Sequence, residues 1–439
     1  MKLLQKLREK NRALKRLRDI RKIALRYLHI LRKKNIEQEQ RKLLTDYLLY
    51  VQKHSPYYRK LLFDKNITIN NCVDVINSLP FCTKELIRKK GETMYADIVR
   101  DDWGWLNTGG STGEPLHFPV KSANIDLEQI HQMMLYLDMG WSFEDLIVSI
   151  DGSVVDDDAR LQNIFYVEGK NFPYGKYSFS TLYMSNDTLP YYVKDLNIIK
   201  PSVLRGYPSG VMRLAKYIID NKCNLSFNLK GIYLTSEAFS EDDSAFVQKV
   251  FRCKVYGQYG HTEASVFAIS KDGSSYFCSP FYGFTEVVDK HGNHVKLGEV
   301  GEVVVTGFLN VAMPFIRYKT GDMAEYGGVK NGIVRLNSLC GRTVDYIINK
   351  CNQKIYLIGL IFGGHIKALN HINDWQIEQC EVGEILIRIV KGMDYDEQIS
   401  QELVLLFKEY SIDVSFLFVS SIPITNRGKR KFMIQHLCI

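Results

Sequence analysis

No two cysteines of the sequence stand in a CxxC spacing, and no Cys/His cluster has the spacing of a zinc site. The nine cysteines are scattered over 439 residues, so reduced thiols in a cytosolic setting fit better than a disulfide framework. A signal peptide is not expected, because Lys2, Lys6, Arg8 and Lys10 interrupt every apolar stretch at the start. No run of about 18 apolar residues is available to span a bilayer. Internal repeats, low-complexity tracts and long flexible linkers are also lacking. What is present is a globular composition: 46% of residues are apolar, enough for a sizeable core, and the length calls for two or more folded units.

The charge is unevenly placed. Residues 1–34 hold fourteen Lys or Arg against Glu9 and Asp19, a local +12, which leaves about −4 of the formal +8 for the rest of the chain. Leu3, Leu7, Leu14, Leu17, Ala24, Leu28 and Leu31 recur there at spacings of three, four or seven, the pattern of one helical face. Such a basic amphipathic helix can pack its leucine face on the body, lie on an anionic membrane, pair with a partner helix or touch nucleic acid. Few aromatics accompany the cations, which argues against nucleic acid as a partner. The expectation is a cytoplasmic protein, with peripheral contact at the inner face of the cytoplasmic membrane through residues 1–34 as an open alternative.

Beyond this segment helical and strand patterns alternate. Residues 126–137, 211–219 and 244–251 have helical periodicity, whereas 146–150, 231–234, 302–306 and 333–336 read as strands. That alternation predicts an α/β body. After Arg342 a strand-like 384–390, a helix-like 397–410 and an apolar 414–419 predict a compact α+β unit. The expected divisions are a basic amphipathic helical segment at 1–38, a large core domain at 39–340 and a smaller C-terminal domain at 341–439.

The chemistry begins at Asn107-Thr108-Gly109-Gly110-Ser111-Thr112-Gly113-Glu114-Pro115. Three glycines allow close backbone approach, and the hydroxyls and amides between them are donors suited to a polyphosphate. The Gly-Lys-Ser/Thr ending of a Walker loop is missing. Alone, the run reads equally as a surface turn. Its companions decide: Leu79-Pro80-Phe81-Cys82-Thr83-Lys84 before it, then Tyr259-Gly260-His261-Thr262-Glu263, Arg317-Tyr318-Lys319-Thr320-Gly321-Asp322, Gly341-Arg342 and Pro423-Ile424-Thr425-Asn426-Arg427-Gly428-Lys429 after it. In this order the set resembles the adenylate-forming superfamily, in particular the branch of phenylacetate-coenzyme A ligase and the related proteins of capsular polysaccharide gene clusters. The likeness runs from about Arg41 to the C-terminus.

The resemblance implies a large multi-sheet adenylation domain followed by a mobile C-terminal domain, and an enzyme that activates a carboxylic acid with ATP and Mg²⁺. By position, Thr108, Gly110, Ser111, Thr112 and Gly113 match the loop holding the β- and γ-phosphates, with Glu114 where a lysine is usual. Tyr259 and Gly260 match the adenine-stacking segment, with His261 beside the nucleotide. Thr262 matches the hydroxyl near the α-phosphate and Glu263 the Mg²⁺ ligand, a role suited to a hard oxygen donor. Asp322 matches the ribose-binding acid and Arg342 the basic residue opening the last domain. Lys429 matches the lysine that a mobile loop brings to the carboxylate and α-phosphate, where a cation stabilises the charge built between two anions.

The second half-reaction departs from the pattern. Val344 takes the position of the usual hinge aspartate, with Asp345 next to it, and Asn349-Lys350-Cys351-Asn352-Gln353 lacks the glycine that lines a pantetheine arm. Coenzyme A is therefore one of three acceptors left open, with an amino sugar and a sugar hydroxyl. A non-catalytic scaffold recruited through the basic helix is the reading from another class, and the retention of Glu263, Asp322 and Lys429 argues against it. His131, His291, His294 and His365 show no metal spacing and read as structural, as does the run Asp156-Asp157-Asp158. Arg205-Gly206-Tyr207-Pro208-Ser209-Gly210 reads either as a loop lining the acyl pocket or as a turn.

Overall fold

The computed structural model describes residues 2–32, 35–98, 100–108, 116–169, 171–237, 239–271, 273–342, 346–357, 371–392, 395–425 and 431–437. Helix α1 (Lys2–Leu31) contains neither glycine nor proline, and nothing in its sequence interrupts the helical hydrogen-bond ladder. After it come α2 (Ile36–His54) and three short helices, α3 (Pro56–Leu61), α4 (Cys72–Asn77) and α5 (Lys84–Lys90). A hairpin of β1 (Trp103–Asn107) and β2 (His117–Lys121) leads into α6 (Ser122–Asp138). Ile20 and Ala24 of α1 are buried, with Leu17, Tyr27, Leu28 and Leu31 beside them, against Ile130, Met133 and Met134 of α6. Leu17, Ala24, Leu28 and Leu31 of the stripe are thus packed on the body of the protein, whereas Leu14 is exposed. Arg12, Lys15, Arg16, Arg18, Arg21, Lys22 and Arg26 face solvent. Among the described residues no helix is long and apolar enough to cross a membrane.

The body is built on one sheet of twelve strands. Its strands are β3 (Ile147–Asp151), β4 (Tyr166–Glu168), β5 (Tyr177–Ser180), β6 (Val203–Gly206), β7 (Gly231–Leu234) and β8 (Val255–Gly260). The others are β9 (Phe267–Ser270), β10 (Tyr276–Cys278), β11 (Gly283–Val288), β12 (Val300–Gly307), β13 (Tyr318–Lys330) and β14 (Ile333–Arg342). Strands β5, β3, β6, β7 and β8 run parallel, and from β8 outward the sheet is antiparallel through β9, β10, β14, β13, β12 to β11. Every residue of β3, β6 and β7 is buried, as a parallel strand covered on both faces must be. Beyond the short α7 (Asp157–Leu161), one face is covered by α8 (Leu189–Ile199), α9 (Pro208–Asp220) and α10 (Glu241–Phe251). The other carries α6, with α1 as an outer layer. The predicted α/β body is therefore the observed one.

A buried, ion-paired arginine is among the groups that tie the antiparallel half to the N-terminal helices. Arg317 donates from Nε and from one terminal nitrogen to both oxygens of Glu286 on β11, at 3.2 and 2.8 Å. Its other terminal nitrogen donates to the carbonyls of Asn77 and Leu79, at 3.0 and 2.9 Å. The guanidinium lies 4.2 Å from the Phe81 ring centroid, and the backbone of Cys82 bonds both Arg317 and Lys319. Four of the five donors of the planar guanidinium are thus used, because carboxylate and carbonyls are held around it.

Past β14, a hairpin of β15 (Tyr346–Ile348) and β16 (Lys354–Tyr356) precedes a second sheet. That sheet has the order β19 (Asp413–Phe418), β18 (Glu384–Lys391), β17 (Ile372–Glu381), β20 (Met433–Gln435). Helix α11 (Glu397–Glu409) buries Ile399, Leu403 and Phe407 on it. Strand β14 runs to Arg342, across the division expected at residues 340 and 341. Lys216 of α9 donates to the carbonyl of Ile372, at 2.6 Å, and so links the two units.

Replacing Glu286 by Gln would leave Arg317 buried without its counter-charge, the side chains being only 1% and 8% exposed. A loss of about 3–5 kcal/mol in unfolding free energy is expected, measured by chemical denaturation. A loss below about 1 kcal/mol, as for an exposed pair, would contradict the assigned role.

Candidate active site

Strand β8 ends at Gly260, and the chain turns through 261–266 before β9 returns antiparallel to it. Ala264 takes a left-handed conformation in this turn, at φ 51°, and its amide donates to the carbonyl of His261 at 3.0 Å. The turn lies tight against β11 and β12. Gly283 and Gly307 are paired across those strands, and a Cβ on either would come within 2.6 Å of the Ser265 backbone. Only glycine permits that approach.

Within the turn Thr262 is exposed and Glu263 is buried. The Tyr318 hydroxyl donates to Glu263 Oε1 at 2.7 Å, and His261 Nδ1 lies 3.2 Å from Oε2. Burial alone would raise the Glu263 carboxyl; the imidazole and the Tyr318 hydroxyl overcome it and hold the group at about 2. The side chain is thus an anion throughout the physiological range. Neither ring nitrogen of His261 completes a hydrogen bond among the described residues.

The second carboxylate of the site is presented by the same strand that carries Tyr318. Tyr259, buried on β8, donates its hydroxyl to Asp322 Oδ2 at 2.8 Å, and burial beside that carboxylate pushes the phenol well above its ordinary range. Gly321 is left-handed at φ 75°. The Asp322 amide donates to Thr320 Oγ1 at 3.0 Å, which itself donates to Val303 at 2.8 Å. Asp322 also pairs in register with Arg342 of β14, whose side chain lies outside the described residues. Tyr259, Glu263 and Asp322 are therefore brought together, through two tyrosine hydroxyls reaching between β13 and the end of β8.

Thr108 stands at the end of β1, at the root of the glycine-rich loop. Its hydroxyl accepts from the Leu116 amide at 2.9 Å, and its own amide donates back to the Leu116 carbonyl at 2.9 Å. Gly110, Ser111, Thr112 and Gly113 lie outside the described residues, as do Glu114, Val344, Asp345, His365 and Lys429. What the structure shows of the loop is a β-hairpin connection with a hydrogen-bonded neck.

Sequence reasoning missed Tyr318 as the partner of Glu263, although it stands inside a quoted motif, and missed Glu128, Gln132 and Gln258. His131 is structural: it packs among Tyr27, Phe267 and Tyr282, and burial lowers it to about 4. Glu378, Cys380 and His436 form one further group of potential metal ligands, but Arg388 is ion-paired to Glu378 and already supplies a cation there.

Residues 178–314 match the AMP-binding enzyme family. Protein CapK of Staphylococcus aureus is 26% identical over 417 residues, covering 91% of this chain and 89% of that protein. The crystal structure of 2-hydroxyisobutyryl-CoA ligase in the postadenylation state with R3-HIB-AMP aligns over 90% of this chain and 88% of its own, with a TM-score of 0.68 at 17% identity. The same ligase with 2-HIB-AMP and CoA in the thioesterfication state gives 0.54 at 18% identity, over 91% and 89%.

A carboxyl held at about 2 in the folded chain, against about 4.3 when unfolded, contributes stability that is complete above about pH 4.3 and is lost as the pH falls through about 2. The stability difference between the native chain and Glu263→Gln, measured with EDTA present, is therefore expected to be widest above about pH 4.3 and to narrow steadily below it. A gap independent of pH would contradict the assignment.

Proposed function

We propose that this chain, a member of the adenylate-forming superfamily, activates a carboxylic acid with ATP, releases pyrophosphate and passes the acyl group from the adenylate to an acceptor in surface polysaccharide assembly. The observation that carries the reading is the joint placement of Glu263 and Asp322, two acids of different environment held by tyrosines at one end of the sheet. In α/β sheets the C-terminal ends of the parallel strands are where ligands bind. CapK as a relative supports the polysaccharide setting.

In this reading Asp322 accepts the ribose hydroxyls, a bidentate contact that a carboxylate beside Tyr259 suits. The ring of Tyr259 lies under the adenine. Glu263, ionised and offering oxygen only, would hold Mg²⁺, which when bound would supply charge neutralisation at the phosphates. Thr262, exposed on the turn, donates to the α-phosphate oxygens, and His261 offers a ring nitrogen with no other partner. The hydroxyl- and amide-rich loop from Thr108 holds the outer phosphates; with Glu114 in place of a cation, its grip depends on neutral donors and on the metal. Lys429 approaches the reacting carboxylate and stabilises the charge built at the α-phosphorus. Residues 341–439 form the mobile part that brings it there.

Two acceptor chemistries remain, each with an observation in its favour. The solved ligase binds CoA, which supports a thioester. Against it, the turn joining β15 to β16 is closed by Asn349, whose side chain accepts from the Cys351 and Gln353 amides at 3.0 and 2.9 Å. Asn352 rather than glycine is left-handed there, at φ 58°, so the turn lacks the glycine that lets a backbone approach a ligand closely. That favours an amino sugar or sugar hydroxyl. For membrane contact through α1, Leu17, Ala24, Leu28 and Leu31 are taken up by α6, which leaves its cationic face and Leu14 exposed.

The test is ATP–pyrophosphate exchange across a panel of carboxylic acids, followed by acceptor trials with coenzyme A and amino sugars. Exchange with at least one acid is expected. Lys429→Ala is expected to abolish it, by about 10²-fold or more, while transfer from preformed acyl-adenylate is largely kept. Absence of exchange with every acid, together with no binding of ATP or AMP, would overturn the proposal; equal loss of both steps in Lys429→Ala would overturn the role of that lysine.

A further inference from the structure

Beside the His261 turn, the face of the sheet covered by α6 carries a polar cluster. In the parallel register Arg205 of β6 stands next to Tyr233 of β7, and the Tyr233 hydroxyl donates to Gln258 of β8, as does Thr235 at 3.1 Å. From α6, Gln132 donates to Glu128 Oε1 at 3.3 Å, and the Tyr282 hydroxyl donates to Oε2. Arg205 and His261 each lie near enough for their charge to act on Glu128.

This cluster is incompletely paired. Arg205 is 7% exposed and Gln132 6%, yet Arg205 Nε and Gln132 Oε1 have no hydrogen-bond partner, nor has Nε2 of His261, whose Nδ1 faces Glu263. Arg205 makes no salt bridge among the described residues; its guanidinium stacks 4.7 Å from the Tyr174 ring centroid and 5.4 Å from that of Tyr233. Buried polar groups left without partners cost stability, and a buried cation without an anion costs most. The carboxylates of Glu128 and Asp151 act on the guanidinium, but neither forms a salt bridge with it among the described residues, and Glu128 is already bonded by Tyr282 and Gln132. The free capacity of the cluster is cationic, planar and suited to a two-oxygen anion.

We propose that Arg205 receives a second carboxylate on the acid being activated, so that the substrate is a dicarboxylic acid bound with one carboxylate by the His261-Thr262 turn and the other on the Arg205 guanidinium. The assignment rests on the adenylation reading and specifies its substrate class. Tyr174 and Tyr233 hold the guanidinium plane, and the Gln132 carbonyl and Gln258 amide flank the chain between the two carboxylates. A monocarboxylate of equal length leaves Arg205 buried and unpaired, which is how a site of this kind discriminates against an analogue lacking the polar group.

The experiment compares ATP–pyrophosphate exchange with succinate, glutarate and adipate against butyrate, pentanoate and hexanoate, in the full-length chain and in Arg205→Met and Arg205→Lys. The native chain is expected to favour at least one dicarboxylate over its matched monocarboxylate by roughly 10²-fold or more in kcat/KM. Arg205→Met is expected to erase that preference, mainly by lowering dicarboxylate kcat/KM, and Arg205→Lys to keep part of it. Because the native comparison needs no variant, a misfolded Arg205→Met leaves the test intact. Preference of the native chain for monocarboxylates, or an equal effect of Arg205→Met on both series, overturns the inference and leaves the adenylation reading standing. No exchange with any acid, and no ATP binding, overturns both.

Discussion

The arrangement of the site depends on the buried pair between Arg317 and Glu286. Strand β13 begins at the next residue, and what it presents, Tyr318 to Glu263 and Asp322 to Tyr259, is set by where that strand starts. Arg317 is itself left-handed, at φ 47°, a conformation that a non-glycine residue holds only when its surroundings impose it. The carboxylate of Glu286, the carbonyls of Asn77 and Leu79 and the ring of Phe81 provide that imposition. Two motifs that read in the sequence as separate candidates, around Phe81 and around Asp322, are thus one structural unit.

On that frame the two carboxylates are given different characters by ordinary means. Glu263 is buried, bonded to Tyr318 and ionised. Asp322 is half-buried with one oxygen on a phenol. The Gly283 and Gly307 pair lets the Glu263 turn sit against the sheet, so the chemistry is mounted on strands and a short turn.

Much of the fold was legible because its signals are local. The helices at 122–138, 208–220 and 241–251 contain the predicted segments, and β7 matches its predicted span of 231–234; periodicity and turn residues suffice for that. The motif residues Tyr259, Glu263 and Asp322 were likewise legible as a set. Their partners were not. Glu286 is 31 residues from Arg317 and Glu128 is 154 from Tyr282, on strands and helices whose own patterns say nothing of a distant partner. The basic helix shows the same limit: its leucine stripe was evident, but that the stripe faces α6 is a tertiary choice that periodicity cannot make.

The central claim is that the acid attacks the α-phosphate of ATP. Oxygen-18 in both carboxylate positions of an acid that supports turnover reports this directly, by mass analysis of the nucleotide and phosphate products after transfer to the acceptor. The account predicts AMP carrying one labelled oxygen, with unlabelled pyrophosphate. Label in inorganic phosphate, with ADP as the nucleotide product, would mean attack at the γ-phosphate and would contradict it.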